Sequence, residues 1–112
     1  MSRQPVTVMS FNDVQFVPRF AYGDRCAIGE TAGRDMGGEL GTGFARMKDA
    51  WIPWTITYDE VLTVIEGSLR LHANGEVHEL GPLDSIWLPK GTALVYETPS
   101  ALLHYAIHPV AS

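Results

Sequence analysis

Little in this chain can cross-link, cross a bilayer or grip a polyanion. Cys26 is the single cysteine among 112 residues, so no internal disulfide can form; a lone thiol fits a reducing cytoplasm. Charged residues make up only 19%, the formal net charge is −5, and the eight Lys and Arg are scattered rather than clustered. That excludes the electrostatic footprint of a nucleic-acid or anionic-membrane binder. No run is long and apolar enough to be a transmembrane helix. The opening MSRQPVTVMSFNDVQF has no continuous apolar core of a signal peptide, so a cytoplasmic protein is expected. Helical periodicity is missing too: eleven Gly and seven Pro punctuate the chain, and no long window repeats its apolar residues at 3.6.

What is present is alternation. Hydrophobic residues reach 46%, enough for one buried core in a chain of one-domain length. FARM (44–47) is a short candidate strand after the glycine-rich GRDMGGELGTG (33–43). WTITYDEVLTVI (54–65) alternates β-branched and aromatic residues as one strand. SLRLHA (68–73) and EVHEL (76–80) flank Asn74-Gly75, a two-residue hairpin signal whose positions both need positive φ. That turn pairs Leu71 with His78 and Arg70 with Glu79, the latter an opposite-charge pair that helps fix register. SIWLP (85–89), ALVYE (93–97) and ALLHYAIH (101–108) complete the set. Short strands at near-regular spacing predict an all-β sandwich or barrel. Residues 40–110 form its core, and residues 1–35 add an edge strand or an arm that covers one end.

Two stretches carry a resemblance. YDEVLTVIEG, with Glu60 and Gly67 separated by six residues, resembles the first cupin motif. LDSIWLPKG, with Pro89-Lys90-Gly91 as Pro-x-Gly, resembles the second. More narrowly, WTITYDE, IEGSL, WLPKG, ETPS and HYAIHP are similar to the cupin domain of the EutQ family of ethanolamine utilisation, a metal-depleted branch of the cupins. The resemblance implies a single antiparallel β-barrel of cupin (jelly-roll) type over residues 1–112. It also implies that the face carrying Glu60 looks into the barrel. Departures from the pattern matter as much. The usual pair of metal-binding histidines falls on Trp54 and Ile56, or on Pro53 and Thr55 with a longer spacer, and the fourth ligand position falls on Leu94. A lone carboxylate does not hold a divalent transition ion, so no metal or other cofactor is expected. The acetate kinase activity linked to EutQ comes with the resemblance as well. GGELGTG (37–43), however, lacks the Lys-Ser/Thr ending and the following helix of a phosphate loop, and reads as a flexible loop or turn.

Strand alternation places Trp54, Ile56, Tyr58, Glu60, Leu62 and Val64 on one face. Tyr96, two residues beyond Leu94, should share the lumen. A carboxylate among such neighbours is costly to ionise, so its pKa should rise, the setting of a general acid or base. Equally, Glu60 could be tied to Tyr58 or Tyr96 by a hydrogen bond and only organise the barrel. Asp59 should point outward or cap a turn. His72 reads as solvent-facing and His78 as a core-edge histidine. His104 and His108 share one face of residues 101–108, Tyr105 and Ile107 the other, and alternation alone does not choose between them. Candidate catalytic residues are thus Glu60, Tyr58 and Tyr96. Candidate ligand-binding residues are Trp54, Ile56, Leu94, His104 and Tyr105. Three functions fit: a metal-independent isomerase, dehydratase or lyase acting on a small organic metabolite; a non-catalytic binding or structural module of a metabolic pathway or microcompartment; and a metalloprotein that recruits His104 or His108 to Glu60. Outward-facing Val61 and Ile65, with Trp51 or Trp87, would leave a large apolar patch, so a homodimer is expected.

Overall fold

The computed structural model describes residues 3–19 and 22–110. Residues 1, 2, 20, 21, 111 and 112, which the expected 1–112 domain includes, lie outside the described residues. Among the described residues the element order is β1 (Val17–Pro18), β2 (Cys26–Ala32), β3 (Gly41–Thr55), β4 (Asp59–Gly67), β5 (Leu69–Ala73), β6 (Glu76–Leu80), β7 (Ser85–Leu88) and β8 (Ala93–His108), with 3-10 turns at Phe11–Asp13 and Arg34–Met36. No helix among the described residues is long and apolar enough to cross a membrane. All strand pairs are antiparallel, in the order β1-β2-β3-β8-β4-β7, with β5 paired to β8 and β6 paired to β5. The all-β expectation holds, but the hydrogen-bonded sheet does not close into a ring: β1, β6 and β7 are edges among the described residues.

The longest ladder joins β3 to β8 from Gly41↔Ile107 to Thr55↔Ala93. The short FARM strand of the sequence reading lies in the first half of this ladder's first strand, and ALVYE and ALLHYAIH are two halves of its second. Thr98, Pro99 and Ser100 read as a break because proline donates no ladder bond. In fact they form a corner. Asp49, opposite Pro99, takes φ +48, and its carbonyl accepts from the Arg25 guanidinium. On both strands the inward face changes phase here. Ala45 and Met47 are buried before the corner and Ala50 and Ile52 after it; Leu94, Tyr96 and Thr98 are buried before and Ala101 and Leu103 after. Such bends are how strands turn from one layer of a sandwich into the other.

The expected single strand WTITYDEVLTVI is likewise two strands, parted at Ile56–Tyr58. The parting has its own clamp. Ile56 donates to Thr92 O and accepts from Gly91 N, and Asp59 Oδ1 accepts from Lys90 N at 2.9 Å. The Pro89-Lys90-Gly91 turn is thereby locked to the segment that leads into Glu60, so the two sequence motifs meet in space. Asn74 and Gly75 take φ +54 and +76, as the hairpin signal requires, with the Leu71–His78 and Arg70–Glu79 pairs in register. His78 is exposed rather than core-edge, because β6 is an edge strand; His72 is half-buried rather than solvent-facing, bonded to Glu97 at 2.8 Å and with its ring tilted against that of Trp51 at 4.9 Å.

Ile56, Leu69, Leu71, Leu103 and Val64 are fully buried. Each contributes roughly 1.5–3 kcal/mol by leaving water, whereas the exposed Arg70–Glu79 pair at 3.6 Å contributes at most about 1 kcal/mol. Apolar burial therefore holds the sheet and charge pairing trims its register. The N-terminal segment both extends the sheet through β1 and β2 and lies across the outer face of β3. There Phe11 packs edge-on against Phe44, and Arg46 sits over the rings of Phe16 (4.9 Å) and Phe11 (5.6 Å). Of the glycine-rich 37–43, residues 37–40 form the turn that leads into β3, whereas Gly41 and Gly43 are not loop but buried within that strand. A Cβ on Gly43 would overlap the Tyr105 hydroxyl and the Gly29 carbonyl. Gly43→Ala is therefore expected to lower stability by about 1–3 kcal/mol through overpacking, read as a lower denaturation midpoint in urea; an unchanged midpoint would mean that Tyr105 is not held where the structure shows it.

Candidate functional site

Inside the curled sheet lies a cavity of about 310 Å³. The four tyrosines of the chain, Tyr22, Tyr58, Tyr96 and Tyr105, all line it, together with Trp54, Glu60 and Arg19. Each comes from a different part of the fold. Glu60 stands on β4 between Leu88 of β7 and Ile107 of β8. Tyr96 and Tyr105 stand on β8 on either side of the corner, and the change of phase turns both inward. Tyr58 precedes β4 in the clamped turn, and Trp54 lies near the end of β3.

Glu60 is only 5% exposed, and its Oε1 has no hydrogen-bond partner among the described residues. Burial pushes its carboxyl up from 4.5 to about 7, although the Arg19 guanidinium and the nearby Tyr96 hydroxyl both favour the charged form. Desolvation outweighs both. The influence runs back to the phenols. Tyr96 is held well above its ordinary value by burial and then by the Glu60 charge, and Tyr58 is raised by the same two causes. Tyr105 is pushed up to about 12, chiefly by burial. All three are thus protonated donors around a carboxyl that changes charge near neutrality. Cys26 also lines the cavity, but burial raises its thiol, so it lacks the thiolate of a nucleophile.

The expected site residues divide into two groups. Trp54, Tyr58, Glu60, Tyr96 and Tyr105 converge on the cavity. Ile56 and Leu94 do not line it; they are 0% and 4% exposed and pack in the core, because the clamped turn draws Ile56 against Gly91 and Thr92. His104 points to the opposite face, where its ring meets Phe44 at 5.0 Å and burial lowers its pKa. His108 shares that face and lies 3.9 Å from Glu39. Ile107, not His108, stands across from Glu60. The sequence could not choose a face for 101–108 because the corner resets the alternation; the metal constellation of Glu60 with His104 or His108 is not assembled. Arg19 and Tyr22 were not anticipated. They lie in a segment without periodicity, and only the concentration of aromatics in a chain with few charges hinted that more of them share one lumen.

The family model for ethanolamine utilisation protein EutQ matches residues 8–111. This chain belongs to the EutQ family. The acetate kinase EutQ of Salmonella typhimurium is 33% identical over 66 residues, which are 59% of this chain and 29% of that protein; the chain thus matches well under half of this curated relative's length. A crystal structure of ethanolamine utilization protein q from Salmonella typhimurium LT2 superposes with a TM-score of 0.88 at 27% identity, covering 95% of this chain and 88% of that one. An RmlC-like cupin from Shewanella frigidimarina superposes at 0.79 with 14% identity, over 99% of this chain and 97% of the other. The fold is that of the cupins, and the EutQ-like reading of the two motifs stands.

The raised Glu60 pKa has a consequence for stability. A carboxyl with a higher pKa in the folded state binds more protons there than in the unfolded chain, so folding is favoured at low pH and the advantage is lost as pH rises from about 4.5 to about 7. At about 1.4 kcal/mol per unit, the loss is on the order of 3 kcal/mol. Urea midpoints measured between pH 4 and 8 are expected to fall across this window in the wild type. In Glu60→Gln this component of the slope disappears and the variant gains most at pH 8. A slope unaltered by the substitution would show that Glu60 titrates as an ordinary carboxylate.

Proposed function

We propose that this EutQ-family cupin binds a small organic metabolite in the lumen and catalyses metal-independent proton transfer with Glu60. One observation carries the reading: a buried carboxyl with an unpartnered oxygen, titrating near 7, faces a cavity rimmed by protonated phenols. Acid/base catalysis works best when the catalytic pKa lies near the working pH. In its ionised form Glu60 takes a proton from a carbon next to a carbonyl, and the C–H electron pair moves toward the carbonyl oxygen. Tyr58 or Tyr96 donates a hydrogen bond to the oxygen as negative charge builds there, an interaction strengthened by the low-dielectric lumen. Protonated Glu60 then returns the proton to a neighbouring atom or to a leaving group, giving isomerisation or elimination. Trp54 and Tyr105 supply apolar and hydrogen-bonding walls. Every group used belongs to this chain.

The non-catalytic module is the second reading; it makes Glu60 only an organiser of the barrel. The unpartnered Oε1 speaks against it, since a structural carboxyl would have its oxygens satisfied. The acetate kinase activity named for curated relatives belongs to proteins much longer than this chain. Phosphoryl transfer draws no support from the glycines of 37–43, because Gly41 and Gly43 are ladder residues of β3 packed against Ile107 and Tyr105.

Incubating the protein in D2O with a panel of ketones and keto acids tests the proposal, with deuterium uptake at carbon read by NMR. The wild type is expected to exchange at least one member, and Glu60→Gln to slow that exchange by at least about a hundredfold, the lower range of general acid–base contributions. Equal exchange by the two proteins would overturn the catalytic role. Elemental analysis is expected to find no stoichiometric zinc, iron or manganese. The proposal extends to a cytoplasmic homodimer with no nucleic-acid or membrane partner. Val61 and Trp87 face each other across β4 and β7, exposed at 41% and 60%, and are the surface we expect a second copy to cover. Light scattering at micromolar concentration checks it, with Trp87→Lys expected to shift the mass toward 12.3 kDa.

A further inference from the structure

Arg19 is the residue of the lumen that the acid/base scheme leaves unused. Its placement is built into the backbone. Pro18 of β1 is paired with Ala27 of β2, and the Arg19 amide donates to Cys26 O at 2.9 Å. The side chain is delivered from this anchored strand end into the cavity, where the guanidinium carbon stands 5.0 Å from the centroid of the Trp54 ring. Arg19 therefore sits on the lumen wall with an aromatic plane beside it, and its field reaches Glu60, Tyr58, Tyr96 and Tyr105.

Such an arrangement selects by charge. A guanidinium stays protonated at every physiological pH, and its planar fork of donors matches a carboxylate in two parallel hydrogen bonds. With its carboxyl pushed up to about 7, Glu60 repels a second negative charge in the lumen less than an ordinary carboxylate would. Glu30, the other acid of the lining, is exposed to solvent. The rest of the wall is apolar or aromatic: Ile28, Ile52, Leu62 and Leu103 stand with the tyrosines. At about 310 Å³ the cavity is larger than a two-carbon acid fills.

We propose that Arg19 is the anion subsite of the lumen and that the ligand is a monocarboxylate with an apolar body of several carbons, its head on the Arg19 guanidinium beside Trp54 and its tail among the tyrosines. The inference rests on the lumen being the ligand site of the proposed function; it names the ligand class and adds a specificity-determining residue.

Three probes of related shape test it: benzoate, its neutral counterpart benzamide, and acetate. Each is titrated into wild type, Arg19→Gln, Arg19→Lys and Glu60→Gln by calorimetry and by melting shift. Benzoate is expected to bind wild type and raise its melting temperature, with benzamide and acetate each at least tenfold weaker. Losing a charge-assisted hydrogen-bonded contact weakens binding roughly ten- to hundredfold. Arg19→Gln is expected to show that loss for benzoate and none for benzamide. Arg19→Lys, which keeps the charge but not the fork, should fall between. Circular dichroism of Arg19→Gln confirms an intact sheet, and Arg19→Lys serves if it does not. Benzoate binding that ignores both Arg19 variants, or benzamide or acetate binding as tightly as benzoate, overturns the proposal; so does failure of benzoate to bind wild type at about 20 mM, roughly twentyfold above the top of the typical micromolar-to-millimolar range. The acid/base reading fails separately, by unchanged deuterium exchange in Glu60→Gln, a result that leaves the benzoate comparison standing.

Discussion

The meeting of Tyr96 and Tyr105 in one lumen depends on the change of phase at the corner where Asp49 meets Pro99. Two long strands run side by side through this point, and each turns over the face it presents to the interior. Proline contributes the missing ladder donor, Asp49 contributes the left-handed backbone, and Arg25 ties its carbonyl. Without the turn-over, continuous alternation from Leu94 and Tyr96 would send His104 inward and Tyr105 out. With it, two tyrosines on one strand reach the same cavity from opposite sides of a bend. Gly67 accommodates the same corner from the neighbouring strand: at φ +84 it lies so close to the Ser100 carbonyl that no side chain fits.

A second dependence follows from the first. Glu60 is raised because aromatic and aliphatic walls bury it, and the same burial keeps the phenols protonated. Acid and donors are thus set by one cause rather than tuned separately. Arg19 opposes the effect without reversing it, and gives the cavity a positive side facing a titrating one. Charge in this site is arranged by burial first and by neighbours second.

The sequence made the strand class, the hairpin and the motif pair legible because each rests on local chemistry: β-branched alternation, two residues at positive φ, a Pro-x-Gly turn. It also delivered five of the residues around the cavity, since Trp54, Tyr58 and Glu60 keep one alternation across the clamped turn. Strand boundaries were harder to read. Pro99 signals an end in sequence and a corner in space, and nothing local distinguishes the two. Ile56 and Leu94 followed the right alternation into the core rather than the cavity, a difference of depth that periodicity does not carry. Arg19 and Tyr22 were hidden for another reason: their segment is placed by the pairing of β1 with β2, a contact between stretches that show no strand pattern of their own.

The gathering of the tyrosines has an optical consequence. Trp54 shares the lumen with all four phenols, whereas Trp51 and Trp87 stand in solvent at 58% and 60% exposure. Ultraviolet emission from this chain is therefore split in space: a half-buried indole beside the phenols reports on the interior, and the two indoles of the outer surface supply a background set by what covers that surface. With Trp51 and Trp87 exchanged for phenylalanine, the remaining emission comes from the cavity wall alone, and the molecule signals occupation of its own interior without a label.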